Sequence, residues 1–361
     1  MKLYLVLEDG TTFAGVSFGA DYSRELIGEA VFTTGMTGYL ETLTDKSYAG
    51  QIVTQSFPLI GNYGVIPDDF ESDFPVPVAY IVKEHCVSPS NFRSEGTLDA
   101  MLKQRGTVGI AGIDTRKLIK RIRESGVMNA VITDRPDSVD FAAVRAYSVT
   151  GVVADMSVKE PELYRTLNAE RTVALLDLGY KNNMVRELNR RGCDVVVLPH
   201  DSKPVTILSY KPSGVLLSNG PGDPAENVEV IENLKALCRT DIPVFGICLG
   251  HQLLALAHGA KTVKLKYGHR GANQPVRNVR DGRIYVTSQN HGYAVVSDSL
   301  PDSPYIRVLF ENVNDNTCEG VDYGKRAFSV QFHPEACGGP RDTAFLFDKF
   351  IFMMDGGKTH A

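Results

Sequence analysis

The strongest constraint on the fold is the stretch from Phe245 to Gln252, which reads Phe-Gly-Ile-Cys-Leu-Gly-His-Gln. The apolar run that enters it is typical of a buried parallel strand, and the apolar residues that follow repeat at helical spacing. Cys248 lies between Gly246 and Gly250, so the chain can turn sharply there and hold the sulfur above the sheet edge, at a helix N-terminus that favours the thiolate. An isolated cysteine is more often a small buried hydrophobe. The strand, the two glycines and the helix together predict a nucleophile.

The pattern of the chain divides it into three parts. Residues 1–150 predict a β-rich domain, residues 151–170 are polar and lack periodicity, and residues 171–361 alternate strands with helices. The middle part is therefore predicted to be a linker, and the alternation is typical of a doubly wound sheet with helices on both faces. The predicted fold class is α/β, with a β-rich N-terminal domain before a mixed or parallel doubly wound sheet.

Several elements of both domains are predicted individually. In the first domain, Asp9-Gly10 between two apolar runs indicates a hairpin, and Asp114 or Thr115 caps a helix that Gly126 ends. Short β runs are expected after residue 261. The second domain is predicted to have strands at 173–176, 194–198, 215–217, 243–247 and 327–331 and helices at 183–191, 228–238 and 343–354.

Composition excludes several classes of function. The formal net charge of −5 does not predict electrostatic binding to nucleic acid or to an anionic membrane. No apolar run is long enough to cross a bilayer. Six cysteines without paired spacing predict neither a disulfide framework nor a metal site. The N-terminus is unlike a secretory signal, so a cytoplasmic location is expected. Because no phosphate-binding glycine motif is present, no cofactor is expected on this chain.

The best candidate for the base that serves Cys248 is His333. It follows a predicted sheet strand, and Glu335 lies two residues further on, where its carboxylate can fix the histidine tautomer. A lone histidine is usually a surface residue or a satisfied core residue. The remaining rivals for the base are His251, His269 and His291.

Two segments are expected to bind the oxyanion that forms when a thiolate attacks an acyl carbon. One donor is the N–H of Leu249, the residue after the nucleophile. The other comes from the turn Ser218–Pro224, where Gly220 and Gly222 leave backbone N–H groups uncovered at the carboxyl end of a predicted strand. Without the neighbouring elbow, this turn would not by itself indicate a binding site.

With these residues in place, the chain resembles the class I, or triad, glutamine amidotransferases. Over its whole length it is similar to the family of small, glutamine-hydrolysing chains of carbamoyl-phosphate synthetases. The N-terminal half distinguishes this family from other triad amidotransferases. Its matching segments are Thr34-Gly-Met-Thr-Gly-Tyr39, Leu43-Thr-Asp-Lys-Ser-Tyr48, Pro58-Leu-Ile-Gly-Asn-Tyr-Gly64 and Gly112-Ile-Asp-Thr-Arg-Lys117.

The resemblance implies that glutamine is hydrolysed to glutamate and ammonia through a γ-glutamyl thioester on Cys248. The ammonia passes to a separate large chain, which is expected to bind ATP and Mg and to make carbamoyl phosphate for arginine or pyrimidine synthesis. Ser47 belongs to the first domain, so the pocket is expected near the domain interface. The residues that the resemblance assigns to glutamine binding are Ser47, Gly220, Gly222, Leu249, Gln252, Asn290, Gly292 and Tyr293.

Three alternatives remain at this stage. The same triad can serve another synthetase, such as an anthranilate, GMP or CTP synthetase, although the N-terminal domain argues against this. The chain can also be a stand-alone γ-glutamyl hydrolase, which needs no partner. A non-catalytic regulatory subunit is the third alternative, and the intact triad argues against it. Copurification with a large ATP-binding chain distinguishes the first interpretation from the others.

Overall fold

The computed structural model describes residues 1–324 and 326–357. The chain divides into two compact units, Met1–Thr150 and Gly151–Ala361.

The first unit is built on a closed barrel. Its strands are β1 Lys2–Leu7, β2 Thr12–Gly19, β3 Leu26–Thr33, β4 Gln51–Gln55, β5 Leu59–Ile60, β6 Ala79–Ile81, β7 Glu84–His85, β8 Val108–Ala111 and β9 Met128–Thr133. Its helices are α1 Tyr39–Leu43, α2 Leu98–Arg105, α3 Thr115–Ser125 and α4 Phe141–Ala146. The order of strands around the barrel is β1, β2, β8, β6, β4, β3, β9, and β5 pairs separately with β7.

Local sequence signals explain two of these elements. The predicted hairpin is confirmed: β1 and β2 pair antiparallel across a turn in which Gly10 has a φ of 87°, a left-handed conformation that glycine adopts without strain. The predicted helix is confirmed as α3, whose Asp114 side chain accepts the Lys117 N–H at 3.0 Å. Sequence reasoning did not predict α2, which Thr97 caps and which ends at Gly106 in a left-handed conformation.

The second unit alternates strands and helices around one large sheet. Its strands are β10 Glu162–Tyr164, β11 Arg171–Asp177, β12 Cys193–Pro199, β13 Gly214–Leu217, β14 Val244–Ile247, β15 Thr262–Asn278, β16 Ile284–Val295, β17 Arg307–Asn312, β18 Cys318–Asp322 and β19 Ala327–Val330. Its helices are α5 Val152–Met156, α6 Asn182–Asn189, α7 Pro204–Ser209, α8 Val228–Leu237, α9 Leu249–Ala257 and α10 Phe345–Met354.

The sheet is mixed, as predicted. Its order is β10, β12, β11, β13, β14, β19, β18, β16, β15, β17. The central strands β12, β11, β13, β14 and β19 run parallel, whereas β10 and β18 pair antiparallel with their neighbours. The carboxyl ends of β13, β14 and β19 therefore lie side by side, where ligands bind in sheets of this kind.

Side chains of alternate residues in the central strands pack into two cores. On β11, Val173 and Leu175 face one core together with residues of α6 and α10, and Ala174 and Leu176 face the other together with residues of α8 and α9. Both faces of the sheet are thus covered by helices, which explains why the parallel strands are almost uniformly apolar.

Two predictions about the second unit were wrong. Residues 151–170 are not a linker: they form α5 and the edge strand β10, which pairs with β12 and leaves Leu163 half exposed. An edge strand with one apolar face needs no long hydrophobic run, so its sequence resembles a polar connection. The β runs after residue 261 are also not short, because β15 spans 17 residues and β16 spans 12. Glycines that suggested turns lie at irregularities in the pairing of these two strands.

None of the helices in the described part of the chain is both long enough and apolar enough to span a membrane.

Candidate active site

Cys248 lies on a strained turn between β14 and α9. Its φ is 54° and its ψ is −103°, a conformation that costs a residue with a Cβ on the order of 1–3 kcal/mol and that the surrounding structure must enforce. The backbone supplies this constraint: the Cys248 N–H donates to the carbonyl of Val330 at 2.9 Å, and the Gly250 N–H donates to the carbonyl of Ser218 at 3.0 Å. The elbow is therefore tied to the strands on both sides of β14.

The two glycines of the elbow are required by close backbone contacts. A Cβ on Gly246 would lie 2.7 Å from the carbonyl oxygen of Gly250, and a Cβ on Gly250 would lie 2.5 Å from that of Leu217. Neither backbone atom can move aside without opening the sheet or the first turn of α9. The spacing of glycine, cysteine and glycine thus has a direct geometric cause.

His333 and Glu335 form a buried pair at the end of β19. The His333 Nδ1 lies 2.7 Å from a Glu335 carboxylate oxygen, and the backbone N–H of His333 donates to the carbonyl of Ser288 at 2.9 Å. Only 2% of His333 and 1% of Glu335 is exposed. The carboxylate thereby fixes the tautomer with a proton on Nδ1 and leaves Nε2 available for proton transfer.

The charges around His333 set its protonation. Burial and the nearby Lys181 ammonium lower the pKa of His333, but Glu335 and the Cys248 sulfur outweigh them and raise it to about 9. Burial raises the pKa of the Glu335 carboxyl, whereas His333 and Lys181 lower it, and the net effect is a lowered pKa. The backbone N–H of Cys248 donates to Val330, which is three residues before His333, so the elbow and the imidazole are held at the end of the same strand. Cys248, His333 and Glu335 are all buried at this sheet edge, and they are the residue types that nucleophilic catalysis by a cysteine requires.

Lys181 is a charged residue of this site that sequence reasoning missed. Its Nζ lies 3.3 Å from His333 Nδ1 and 3.6 Å from the Glu335 carboxylate. It follows β11 by four residues, so its place just beyond the carboxyl end of a parallel strand was the available signal. Its charge opposes protonation of His333 and stabilises the Glu335 carboxylate.

The turn Ser218–Pro224 lies against the elbow. A Cβ on Gly220 would lie 2.7 Å from the side chain of Leu249 and 2.1 Å from the carbonyl oxygen of Leu178. Gly222 has a φ of 86°, in the region that favours glycine. The two segments expected to bind an oxyanion are thus neighbours in the structure, as the sequence predicts from their positions after β13 and β14.

Part of β16 passes beside Cys248. The Cys248 thiol donates to the backbone carbonyl of Asn290 at 3.7 Å. The side chain of Gln252 donates from Nε2 to the carbonyl of Tyr293 at 2.8 Å and to Gln331 at 2.9 Å. Gln252, Asn290 and Tyr293 are thus brought together with Cys248, and Gly292 lies between the last two on the same strand.

Comparison with known proteins assigns both units to a family. Residues 5–132 match the model of the carbamoyl-phosphate synthase small chain, CPSase domain, and residues 174–353 match that of the class-I glutamine amidotransferase. A carbamoyl phosphate synthase small chain from Fusobacterium nucleatum is 50% identical over 355 residues, which cover 97% of this chain and 98% of that protein. One from Bacillus thuringiensis subsp. konkukian is 48% identical over 361 residues, covering 99% and 97%. The chain belongs to the carbamoyl-phosphate synthase small-chain family.

Another relative carries a more specific name. The carbamoyl phosphate synthase pyrimidine-specific small chain of Halalkalibacterium halodurans is 49% identical over 370 residues, covering 100% of this chain and 99% of that protein. As a member of the small-chain family, this chain is a subunit of an enzyme, and its second unit is a class I glutamine amidotransferase domain. The resemblance stated from the sequence is confirmed.

The three rival histidines, His251, His269 and His291, have different surroundings from His333. His251 is fully buried and lies 2.7 Å from the Ser329 hydroxyl, and burial lowers its pKa to about 3. His269 and His291 lie on β15 and β16, in a cluster around Glu319. His333 is therefore the histidine with a carboxylate partner beside the elbow of this amidotransferase domain.

Ser47 belongs to the first unit of the small chain. It lies in a short 3-10 turn, Lys46–Tyr48, where its N–H donates to the Asp45 carboxylate at 2.9 Å, and it is 7% exposed. The Asp45 side chain thus fixes the backbone of this turn.

Proposed function

We propose that this small chain hydrolyses glutamine at Cys248 and delivers the ammonia to a large chain that makes carbamoyl phosphate. The observation that carries the proposal is the strained elbow of Cys248 beside the buried pair of His333 and Glu335. Family membership supports the choice of glutamine as the substrate and of a large chain as the partner.

The first half-reaction forms the thioester. The Cys248 thiolate attacks the side-chain amide carbon of glutamine, and the carbonyl π electrons move onto oxygen. The N–H of Leu249 and those of the Gly220–Gly222 turn are placed to stabilise that oxyanion. The His333 imidazolium then donates its Nε2 proton to the amide nitrogen, the C–N bond breaks, and ammonia leaves.

The second half-reaction uses the same imidazole in the opposite direction. Neutral His333 takes a proton from water as the oxygen attacks the thioester carbon, the C–S bond breaks, and the Cys248 thiolate is released together with glutamate. Glu335 holds the ring in the orientation that both steps need and stabilises its positive charge. The same His333 imidazole must act as an acid in the first half-reaction and as a base in the second. Its pKa must therefore change with the charge on the Cys248 sulfur, and Cys248 is one of the groups that raise this pKa.

Substrate binding is proposed for the residues around the nucleophile together with Ser47. Both hydrogens of the Gln252 amide contact protein oxygens, so a contact of this side chain with glutamine would use Oε1. The proposed set is Ser47, Gly220, Gly222, Leu249, Gln252, Asn290, Gly292 and Tyr293. Binding of ATP and Mg is proposed for the large chain.

The test is a titration of the large chain into a fixed amount of small chain while glutamate production is followed. We expect the small chain alone to turn over slowly and the rate to rise severalfold or more on complex formation, because displacement of an oxyanion donor by about 1 Å can cost about a hundredfold. The titration is run with and without ATP and bicarbonate. An unchanged rate in a complex shown by gel filtration to have formed would contradict the coupling, and absence of glutamate in every arm would contradict the hydrolysis itself.

A further inference from the structure

Gln331 is a buried amide that directly follows strand β19, two residues before His333. The residue is 0% exposed, and its side-chain Oε1 lies 2.9 Å from Gln252 Nε2. Its own Nε2 is buried and meets no hydrogen-bond acceptor among residues 1–324 and 326–357. Within these residues, the polar contact of the Gln331 side chain is therefore with Gln252, a member of the proposed glutamine site.

Packing alone does not account for a glutamine at position 331. Burial of an amide costs free energy unless its donors and acceptors are paired, and here one end of the amide is unpaired within the described residues. An apolar residue of similar volume would fill the same space without a buried donor. What an apolar residue could not supply is the oxygen that faces Gln252.

This oxygen fixes which way the Gln252 amide points. Gln252 Nε2 also lies 2.8 Å from the backbone carbonyl of Tyr293, which can only accept. Both neighbours of this nitrogen are thus acceptors, and they take its two hydrogens. If the Gln252 amide were turned over, its Oε1 would lie against the oxygens of Tyr293 and Gln331, and both contacts would become repulsive. Gln252 is therefore held with Oε1 directed away from these two residues.

Gln252 lies at the far end of a glutamine molecule bound at Cys248. Its N–H donates to the carbonyl of Cys248 at 3.2 Å, one turn along α9, which advances the helix by about 6 Å. With the reacting amide carbon at Cys248, the substrate groups at that distance are the α-ammonium and the α-carboxylate. An amide oxygen accepts hydrogen bonds from an ammonium group and repels a carboxylate. The Gln252 Oε1 is therefore suited to the α-ammonium group.

We infer that Gln331 is a positioning residue for glutamine, which holds the Gln252 amide with its oxygen toward the α-ammonium group of the substrate. The inference rests on the proposed function, because it concerns the site that binds glutamine there. Gln331 acts through Gln252 and not on the reacting atoms. A contact with the α-ammonium group is equally strong in the ground state and the transition state, so its loss raises the KM for glutamine more than it lowers kcat.

The first experiment measures kcat and KM for glutamine in Gln331→Met, with the small chain in complex with its large chain. Methionine has a similar length, and its thioether is only a weak acceptor. We expect the KM to rise roughly fivefold, the usual effect of one lost neutral hydrogen bond. The kcat should stay within about twofold of the wild-type value.

Glutaramate, which is glutamine without its α-amino group, tests which substrate group the Gln252 oxygen meets. Its inhibition constant against glutamine is measured through glutamate production, to which glutaramate itself does not contribute. Because glutaramate has no ammonium group, this constant should be the same in the wild type and in Gln331→Met. The preference for glutamine over glutaramate should therefore fall roughly fivefold in the variant.

A double variant tests whether Gln331 acts through Gln252. Gln252→Met removes an acceptor for a charged group, so it should raise the KM for glutamine roughly tenfold or more. Adding Gln331→Met to this background should then change the KM by less than about twofold, because the amide that Gln331 holds is gone. Effects that simply multiply would show that Gln331 acts by another route and would contradict the inference.

Gln55→Met is the matched control. Gln55 is a glutamine of the first unit that is 1% exposed, and its amide contacts Gly35 and Tyr80. The same substitution at this position should leave the preference for glutamine over glutaramate at the wild-type value.

Gln331→Glu is the complementary variant. In either protonation state its carboxyl group keeps an oxygen that can accept from Gln252 Nε2, so this variant should retain most of the preference for glutamine. Melting temperatures identify variants that do not fold, and Gln331→Glu remains informative if Gln331→Met is one of them. In that case, a Gln331→Glu complex that has lost the preference would refute the inference.

The outcomes separate this inference from the proposed function. An unchanged KM for glutamine in a folded Gln331→Met complex would overturn the inference, as would equal weakening of glutamine and glutaramate binding. A wild-type complex that produces no glutamate would instead overturn the proposed function.

Discussion

Replacing Cys248 with alanine is expected to abolish glutamine-dependent carbamoyl phosphate synthesis by the complex and to leave synthesis from added ammonia intact. We expect a loss on the order of a thousandfold or more, because no other group on the elbow can form the acyl intermediate. In the proposed mechanism added ammonia bypasses the Cys248 site, so its use depends on the large chain alone. The measurement is carbamoyl phosphate formation with each nitrogen donor, at matched amounts of complex.

Two further variants sharpen this result. Cys238→Ala changes another free, partly buried cysteine, at the end of α8, and should keep both activities. Cys248→Ser should be almost as inactive as the alanine variant, because a hydroxyl is far from ionised at neutral pH and gains little from the dipole of α9. Equal loss of both activities in Cys248→Ala would show that the residue supports the structure and not the chemistry.

The second large effect is expected from His333→Asn. In the proposed mechanism the imidazole donates a proton in the first half-reaction and accepts one in the second, so its removal should slow both and lower kcat by on the order of a hundredfold to ten-thousandfold. Glu335→Gln should be milder. It retains the shape of the side chain and loses the negative charge that keeps the pKa of His333 high.

Steady-state glutaminase rates and trapping of the thioester by acid quench together test this order. We expect that in Glu335→Gln the thioester still forms and turns over more slowly, whereas in His333→Asn little accumulates. A Glu335 variant that is more damaged than the His333 variant would reverse the roles assigned to these two residues. Melting temperatures identify variants that misfold. This control is needed because both side chains are buried and Glu335 also pairs with Lys181.

The parts of the structure that the sequence predicts are those determined by neighbours along the chain. The elbow follows from Gly246 and Gly250, whose missing side chains are required by backbone atoms a few residues or one strand away. The helix α3 follows from its cap at Asp114. The pairing of His333 with Glu335 was within reach because two residues across a proline lie on the same side of the strand end.

The parts that the sequence does not predict depend on contacts between distant segments. Lys181 reaches His333 over 152 positions, and no local pattern distinguishes it from a solvated lysine. Glu319 is buried only because β16 and β17 bring Gln289 and Asn312 to it. The edge strand β10 has the composition of a linker because its side chains remain largely exposed, and the pairing with β12 that orders it leaves no pattern in the sequence.

The most direct test of the central claim follows the nitrogen atom itself. The complex is given glutamine labelled with nitrogen-15 at the side-chain amide in the presence of an excess of unlabelled ammonium, and the isotope content of carbamoyl phosphate is measured by mass spectrometry. If the Cys248 site supplies the large chain directly, the product retains most of the label, and the Cys248→Ala complex makes only unlabelled product. Label diluted to the level of the surrounding ammonium would contradict delivery from this small chain, and an equally labelled product from the alanine variant would contradict hydrolysis at Cys248.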